Sequence, residues 1–186
     1  EALTLFSSIS AGSTDDVFQP IGRAVDAYYD RLDRVLKGEA SALGIQTGYR
    51  DLDEITGGLH GDELTIVAAR PAVGKTAFML SVAYNIAQHH DTDVTICSLE
   101  MSRDQLLIRL LAMETRIDTH RLRMFHLNEG EQERVMTALP GIAQLPVFIA
   151  DISAMTADQI RLSTIRHLTK RQRPCVPVVD YLQLMG

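Results

Sequence analysis

The hydrophobic positions along this chain alternate between continuous apolar runs and helical repeats. Four short runs, each bounded by polar residues, predict strands that are covered on both faces. They lie at residues 64–69, 94–99, 147–151 and 175–180. Because helical patterns separate these runs, the order of elements predicts an α/β fold, a mostly parallel sheet with helices on its faces.

Helical spacing and capping residues predict the helices between the strands. They are expected over residues 51–55, 76–88, 102–116, 119–125, 129–145 and 156–172. Ser102 with Gln105, and Thr156 with Gln159, match the capping box, in which a side chain and a backbone N–H at each position bond reciprocally. These two helices therefore have well-defined predicted starts.

Two prolines interrupt the regular patterns. Pro140, followed by Gly141, predicts a break in the helix over residues 129–145. Pro177 stands inside the last strand, where it has no N–H to donate to a neighbouring strand, so a local irregularity is expected there.

The amino-terminal part of the chain is organised differently. Residues 1–19 combine a short apolar helical pattern with a turn-rich linker, and they are predicted to be the tail of a truncated domain. Residues 20–38 predict one amphipathic helix with a narrow apolar stripe, formed by Ile21, Val25, Tyr28, Leu32 and Val35. The helix could dock on its own domain or on a neighbouring subunit, and a narrow seam after a flexible linker favours the neighbour. The chain lacks an initial methionine and stops after a strand, so both ends are interpreted as cut.

Composition narrows the class of protein. With 186 residues, 46% hydrophobic and 23% charged, the chain is ordinary for one soluble globular domain. No apolar run approaches the roughly 18 to 20 residues of a membrane-spanning helix. Cys97 and Cys175 lie in apolar runs and are predicted to be buried thiols of a reducing compartment rather than a disulfide. The net charge of −6 argues against nucleic-acid binding by bulk electrostatics.

The loop after the first apolar run carries the clearest candidate chemistry. Residues 69–76 match the phosphate-binding pattern G-x-x-x-x-G-K-[ST] except at Ala69, which is tolerable only if its φ stays below zero. The predicted nucleotide-binding residues are Ala69, Arg70, Pro71, Ala72, Val73, Gly74, Lys75 and Thr76. Lys75 is expected to reach the β- and γ-phosphates of ATP, and Thr76 to place its hydroxyl on Mg²⁺. A chance match in a strand-to-helix turn is the alternative.

Two carboxylates follow other predicted strands. Glu100 comes directly after the second apolar run, and Asp180 ends the fourth. In parallel sheets ligands bind at the carboxyl ends of the strands, so both side chains are expected near the phosphate loop. Asp180 is predicted to serve Mg²⁺ together with Thr76, and Glu100 to orient or deprotonate an attacking water.

Other polar residues favour plainer interpretations. Adjacent side chains on a helix point in different directions, so His89 and His90 indicate a solvated helix end rather than a pair of metal ligands. A basic run could contact DNA, but it is better explained as a solvated helix face. Its members are Arg161, Arg166, His167, Lys170, Arg171 and Arg173.

Six sequence motifs together resemble one family. They are Gly44-Ile45-x-Thr47-Gly48, Asp51-Leu52-Asp53, Thr56-x-Gly58, Val67-Ala68-Ala69-Arg70-Pro71-x-x-Gly74-Lys75-Thr76, Ser98-Leu99-Glu100-Met101-Ser102 and Asp180-Tyr181-Leu182-Gln183-Leu184. They resemble the DnaB-type replicative DNA helicases of bacteria and their phages, over residues 20–186. An alanine at the first position of the phosphate loop belongs to that family's pattern.

The resemblance implies a RecA-like P-loop NTPase, which hydrolyses ATP with Mg²⁺ between subunits of a homo-hexameric ring and translocates on single-stranded DNA at a replication fork. It also implies that Lys75, Glu100 and Arg109 are catalytic, with Arg109 near the γ-phosphate, although Arg109 could instead be a surface arginine on a helix. The resemblance further implies that residues 20–38 form a linker helix that packs on the adjacent protomer. It implies that residues 44–186 form an incomplete RecA-like ATPase domain.

Partners and location also follow from the resemblance. It implies a primase and a helicase loader as partners, no membrane, and a cytoplasmic, nucleoid-associated protein. The family's arginine finger, γ-phosphate sensor and DNA-contacting loops are expected beyond the sequence given, so the carboxyl-terminal part of the fold is predicted to be missing. Two alternatives are a RecA-like recombinase or regulatory ATPase, and a nucleotide-binding oligomerisation fragment without turnover of its own.

Overall fold

The computed structural model describes residues 19–38, 44–61, 63–70, 72–151 and 155–180. The helices are α1 Ile21–Leu36, α2 Arg50–Thr56, α3 Lys75–His89, α4 Arg103–Thr115, α5 Thr119–Arg123, α6 Glu129–Gln144 and α7 Ala157–Arg171, and the strands are β1 Asp93–Ser98, β2 Val147–Asp151 and β3 Cys175–Asp180. The predicted helices are present, and three of the four predicted strands form. Within the described ranges no helix is long and apolar enough to cross a membrane.

The three strands form one parallel sheet in the order β2-β1-β3. The predicted α/β architecture with a parallel sheet is therefore confirmed. In register, Ser98 at the end of β1 lies beside Asp151 of β2 and Asp180 of β3, so the three carboxyl ends share one edge. Any ligand bound at this edge would meet side chains from all three strands.

Both faces of β1 are covered, as the continuous apolar run predicts. Val94 and Ile96 belong to a buried cluster with residues of α3 and α4, while Cys97 belongs to a second cluster with Ile160 of α7. Successive side chains of a strand point to opposite faces, so α3 and α4 lie on one side of the sheet and α7 on the other.

The capping residues define the helix starts as predicted. Ser102 accepts from the N–H of Gln105 and Thr156 accepts from the N–H of Gln159, and in both pairs the glutamine side chain bonds back to the cap. Asn128 begins α6 with a third capping box, which was not predicted. These bonds satisfy N–H groups that have no partner within the helix.

The predicted strand at residues 64–69 does not form. This segment has no strand or helix assignment, and Leu64 and Ile66 are 81% and 65% exposed. An apolar run indicates that a segment has apolar side chains to bury. A strand also requires a neighbouring strand that pairs with its backbone. Among the described residues the sheet ends at β3.

Pro177 leaves the pairing between β1 and β3 regular, contrary to expectation. The N–H of Asp93 donates to the carbonyl of Pro174, and the N–H of Leu99 donates to the carbonyl of Asp180. Alternate residues from 174 to 180 therefore face β1, and Pro177 faces the outer edge. Its missing N–H removes a donor from that edge only.

The predicted break at Pro140 and Gly141 is also wrong, because α6 continues through both residues to Gln144. Proline removes the bond to the carbonyl four residues earlier, that of Met136. Met136 and Pro140 are both exposed, so water can satisfy this carbonyl. On the opposite side Leu139 and Ile142 pack against a buried cluster and hold the helix in place.

Helix α1 belongs to the first of two units, residues 1–43 and 44–186. It begins directly after Pro20 and ends before Gly38, as predicted, and all of its residues are exposed. Its apolar stripe is therefore a solvent-facing surface. The expectations for residues 1–18 fall outside the described residues.

Both cysteines are free thiols, as predicted. Cys97 is buried, and burial raises the pKa of its thiol. Cys175 is only half-buried, which is less than expected for a residue in an apolar run.

Candidate active site

Two residues of the predicted phosphate loop, Ala72 and Gly74, have positive φ. Gly74 adopts φ 109°, in the region that favours glycine, immediately before α3 begins at Lys75. Ala72 also has a positive φ of 65°, which was not predicted, because nothing in an alanine signals a left-handed conformation. Ala69 is not among the described residues with positive φ, which agrees with the condition set for its methyl group. Pro71 lies outside the described residues.

Three of the predicted site residues come together at the carboxyl edge of the sheet. The Lys75 Nζ lies 3.1 Å from Oδ1 of Asp180, and the Thr76 hydroxyl donates to Oδ2 of Asp180 at 2.8 Å. Asp180 is 1% exposed, although Thr76 and Asp180 are 104 residues apart in the chain. The loop supplies a cation and a hydroxyl, and β3 supplies the carboxylate that joins them.

Glu100 lies at the same edge but outside this cluster. It follows β1 in a turn held by Ser98, whose hydroxyl donates to the carbonyl of Met101 at 2.6 Å and accepts from the N–H of Met101 at 3.1 Å. The side chain of Glu100 is exposed. It is therefore accessible to water and to a ligand in front of the strand ends.

Arg109 lies on α4 and is half-buried. It is six residues beyond the first residue of the helix, about 9 Å along the axis. The hydrogen bond and ion pair that define the cluster join Lys75, Thr76 and Asp180, and they do not include Arg109. A role near the γ-phosphate remains an expectation for this residue.

The oxygen atoms of Thr76 and Asp180 fit a magnesium ion. Mg²⁺ prefers hard oxygen ligands and binds through one or two protein groups plus water and phosphate oxygens. A hydroxyl and a buried carboxylate 2.8 Å apart supply such a pair without further protein ligands. Across the described residues there is no group of three or more His, Cys, Asp and Glu side chains that would form an all-protein metal cage.

The histidine pair behaves as the plainer interpretation predicts. His89 is exposed, and its Nδ1 lies 3.0 Å from the carbonyl oxygen of Asn85 in the last turn of α3. His90 ends the helix as its C-cap.

The basic run is a solvated helix face only in part. Arg161, Arg166 and Lys170 are exposed, as expected. The other three members, His167, Arg171 and Arg173, surround the buried carboxylate of Asp93 at the amino end of β1. This cluster was not predicted, because Asp93 looked like the polar boundary of an apolar run and its helical partners lie 74 and 78 residues away.

Comparison with known proteins matches residues 44–186 to the family described as the DnaB-like helicase C terminal domain. The replicative DNA helicase DnaB of Synechocystis sp. is 40% identical over 168 residues, covering 89% of this chain and 19% of that protein. The replicative DNA helicase DnaC of Bacillus subtilis is 33% identical over 185 residues, covering 100% of this chain and 40% of that protein. The chain thus spans less than half the length of these curated relatives.

Solved structures show the same relationship. One solved ATPase domain superimposes with a TM-score of 0.79 and 26% identity, covering 91% of this chain and 59% of that one. A DnaB-like replicative helicase, described together with its interactions with primase, gives a TM-score of 0.76 and 27% identity, covering 100% of this chain and 44% of that one. The chain therefore belongs to the DnaB-like helicase family, and the sheet and helices of residues 44–186 are those of the family's RecA-like C-terminal ATPase domain.

Proposed function

We propose that this chain is part of the motor of an ATP-dependent replicative DNA helicase, in which ATP hydrolysis drives translocation on single-stranded DNA. The observation that carries the proposal is the convergence of Lys75 and Thr76 on the buried carboxylate of Asp180. Family membership supports the same activity, since the curated relatives are replicative DNA helicases.

Lys75 and the loop before it would bind the phosphates. Lys75 is the first residue of α3, where backbone N–H groups without helical partners and the helix dipole both favour an anion. The Lys75 side chain is 29% exposed and can leave Asp180 to contact β- and γ-phosphate oxygens. Residues 69–76 form the backbone of this proposed cradle.

Thr76 and Asp180 would hold magnesium, Thr76 through its hydroxyl and Asp180 from behind. When bound, the ion neutralises negative charge on the phosphates and so lowers the barrier to attack on the γ-phosphorus. Asp180 also holds the Lys75 ammonium and the Thr76 hydroxyl at one point of the sheet edge, from which both can turn to phosphate and metal oxygens.

Glu100 is proposed as the residue that orients the attacking water and accepts its proton. Its position after β1, in the turn held by Ser98, places a carboxylate at the edge of the sheet that also carries the phosphate loop. Arg109 is proposed to approach the γ-phosphate from α4. It would offset charge that develops on the transferred group.

The assembly is proposed from the family. We infer a homo-hexameric ring on single-stranded DNA, with the exposed apolar stripe of α1 packed on an adjacent protomer. A primase and a helicase loader are proposed partners, and support for the primase comes from the related solved structure of a DnaB-like replicative helicase and its interactions with primase. Work at a replication fork also implies a cytoplasmic, nucleoid-associated protein.

The test is Lys75→Ala in the intact protein that contains this chain. We expect ATP hydrolysis and ATP-dependent unwinding of forked DNA to be lost, because the phosphates lose their cation. Lys170→Ala, which removes an exposed lysine of α7, is the matched control and should retain both activities. Full ATP hydrolysis and unwinding by Lys75→Ala would contradict the proposal, and strand exchange without unwinding by the wild type would favour a recombinase.

A further inference from the structure

Residues 44–59, which we call the brace, form a closed loop that precedes residues 69–76 in the chain. Ile45 and Leu59 pair as an antiparallel bridge, with both N–H groups donating to the opposite carbonyl at 2.8 Å. Their side chains pack against the buried cluster that contains α3. The ends of the brace are therefore fixed to the core, and α2 lies between them.

A buried carboxylate organises the inside of the brace. Asp53 is 8% exposed, and its Oδ1 accepts from both the N–H and the hydroxyl of Thr47, at 2.9 and 2.7 Å. Its Oδ2 accepts from the N–H of Gly48 at 3.1 Å. Three donors on two adjacent residues fix the position of the Thr47 carbonyl, which points away from the brace toward α3.

The brace holds α3 along one helical face. The Thr47 carbonyl accepts from Nδ2 of Asn85 at 3.0 Å. One turn earlier, the Tyr49 hydroxyl donates to the hydroxyl of Ser81 at 2.8 Å, and the Tyr49 ring lies 5.2 Å from that of Phe78. Phe78, Ser81 and Asn85 are three and four residues apart, so they form a single row on the helix.

The same helix carries the phosphate-binding residues. Phe78 is two residues after Thr76, about 3 Å along the axis. The opposite side of α3 is held by apolar packing of Leu80, Ala83 and Ile86, which resists separation but sets rotation and axial position less strictly than directional hydrogen bonds do. Tyr84 donates a hydrogen bond to Glu114 of α4, and the contacts of the brace add directional bonds along a second face of the helix.

The approach between brace and helix is too close for a side chain at Gly48. A Cβ built there would lie 2.4 Å from Nδ2 and 2.7 Å from Cγ of Asn85, and Gly48 has φ 84°. The backbone of the brace thus lies directly against the Asn85 amide. This contact is built into the fold rather than formed by mobile surface side chains.

We propose that Thr47, Tyr49 and Asp53 of the brace, together with Asn85, are positioning residues for nucleotide binding, acting by fixing the rotation and axial position of α3 so that Lys75 and Thr76 face the phosphates. The proposal rests on the proposed ATPase function. It assigns a role to motifs, around Thr47 and Asp53, that the phosphate site itself does not use.

The experiment compares Asn85→Ala with Asp118→Ala in the intact protein. Asn85→Ala removes the bond to Thr47, and Asp118→Ala removes the N-cap of α5, which accepts from two N–H groups and belongs to a helix that packs on α4 rather than on α3. Both variants should lower the melting temperature. Only Asn85→Ala is expected to raise the KM for Mg-ATP, by about three- to tenfold, with kcat at saturating ATP within about twofold of wild type.

A second variant covers the case in which Asn85→Ala does not fold. Tyr49→Phe keeps the ring against Phe78 and removes only the exposed hydroxyl bond to Ser81, so it should fold and raise the KM by about twofold. An unchanged KM in Asn85→Ala despite a lowered melting temperature would overturn the proposal, and so would an unchanged KM in Tyr49→Phe if the first variant is unfolded. No ATP turnover in the wild type would instead contradict the proposed function.

Discussion

Two buried carboxylates lie at opposite edges of the same sheet, Asp180 at the carboxyl end of β3 and Asp93 at the amino end of β1. Asp180 is 1% exposed and Asp93 is 0% exposed, and both contact cationic side chains. Burial and an ionic partner therefore do not distinguish a reactive site from a structural one. The difference lies in what surrounds each carboxylate.

Among the described residues, Asp93 contacts two arginine side chains and one histidine side chain. His167 Nε2 and Arg171 Nε lie 2.8 and 2.9 Å from its Oδ2, and Arg173 Nη1 lies 3.6 Å from its Oδ1. The Phe148 ring packs against the His167 ring, with 4.5 Å between the ring centres. The Arg171 guanidinium lies over the Phe148 ring, with its Cζ 5.1 Å from the ring centre. At this end of the sheet, Asp93 links α7 to β1. The three side chains contact the carboxylate oxygens that a ligand would have to bind.

Among the described residues, the partners of Asp180 are one amine and one hydroxyl, both carried by the first turn of α3. These partners can exchange Asp180 for phosphate or metal oxygens, and the neighbouring loop adds the anion-binding end of a helix. A carboxylate in the proposed site thus has partners that a ligand can replace. A structural carboxylate has partners that it holds permanently.

The first prediction tests the structural side of this comparison with Asp93→Ala. Removing Asp93 leaves Arg171, Arg173 and His167 without their shared partner, and we expect a loss of about 3 kcal/mol in the free energy of unfolding. This is the lower end for a broken buried ion pair, because the cations themselves reach water. Urea denaturation measures the loss, and kcat of the folded variant should match wild type. A variant as stable as wild type would show that Asp93 does not secure α7.

The second prediction tests the functional side with Asp180→Asn. The amide keeps an oxygen for the Thr76 hydroxyl but removes the negative charge that orients Lys75 and serves the metal. We expect kcat for ATP hydrolysis to fall at least about a hundredfold, about 2.7 kcal/mol, while the free energy of unfolding changes by less than about 1 kcal/mol. Steady-state kinetics and urea denaturation on the same sample separate the two effects. A large stability loss with normal kcat would reverse the comparison.

The third prediction concerns pH. Burial alone would raise the pKa of Asp93, but hydrogen bonds from Arg171 and His167 and the charges of Arg171 and Arg173 outweigh it and lower the pKa below 3.8. A carboxyl with a lowered pKa stabilises the fold above its unfolded value and loses that contribution as pH falls through the folded pKa. The stability difference between wild type and Asp93→Ala should therefore be present above pH 3.8 and shrink below it. Urea denaturation across this range checks the sign, which a difference growing with acidity would contradict.

Local patterns predicted those parts of the molecule that depend on local physics. The capping boxes at Ser102 and Thr156 formed as expected, because each is complete within four residues. The convergence of Thr76 and Asp180 was also predictable, since the carboxyl ends of parallel strands share an edge. This general rule about parallel sheets was sufficient to predict the contact, although no local pattern links the two residues.

The features that were not predicted depend on contacts between distant parts of the chain. A local sequence pattern does not identify the residues that make such contacts. The spacing of Asp93 and Arg171 along the chain carries no sign that α7 would end beside the start of β1. The run at residues 64–69 is as apolar as β1, yet only β1 has paired neighbours on both sides among the described residues. Pro140 was expected to break α6, but packing of Leu139 and Ile142 outweighs one missing hydrogen bond.

The fourth and smallest effect compares two capping boxes of similar strength. Ser102→Ala removes the cap of α4 two residues after Glu100, and Thr156→Ala removes the cap of α7, the helix that ends at the partners of Asp93. Each should cost about 1 kcal/mol in the free energy of unfolding, since each loses one side-chain bond to a helix N–H. Only Ser102→Ala is expected to lower kcat, by about two- to fivefold, because the start of α4 fixes the end of the turn that carries Glu100. Equal kcat values for the two variants would show that Glu100 is positioned by Ser98 alone.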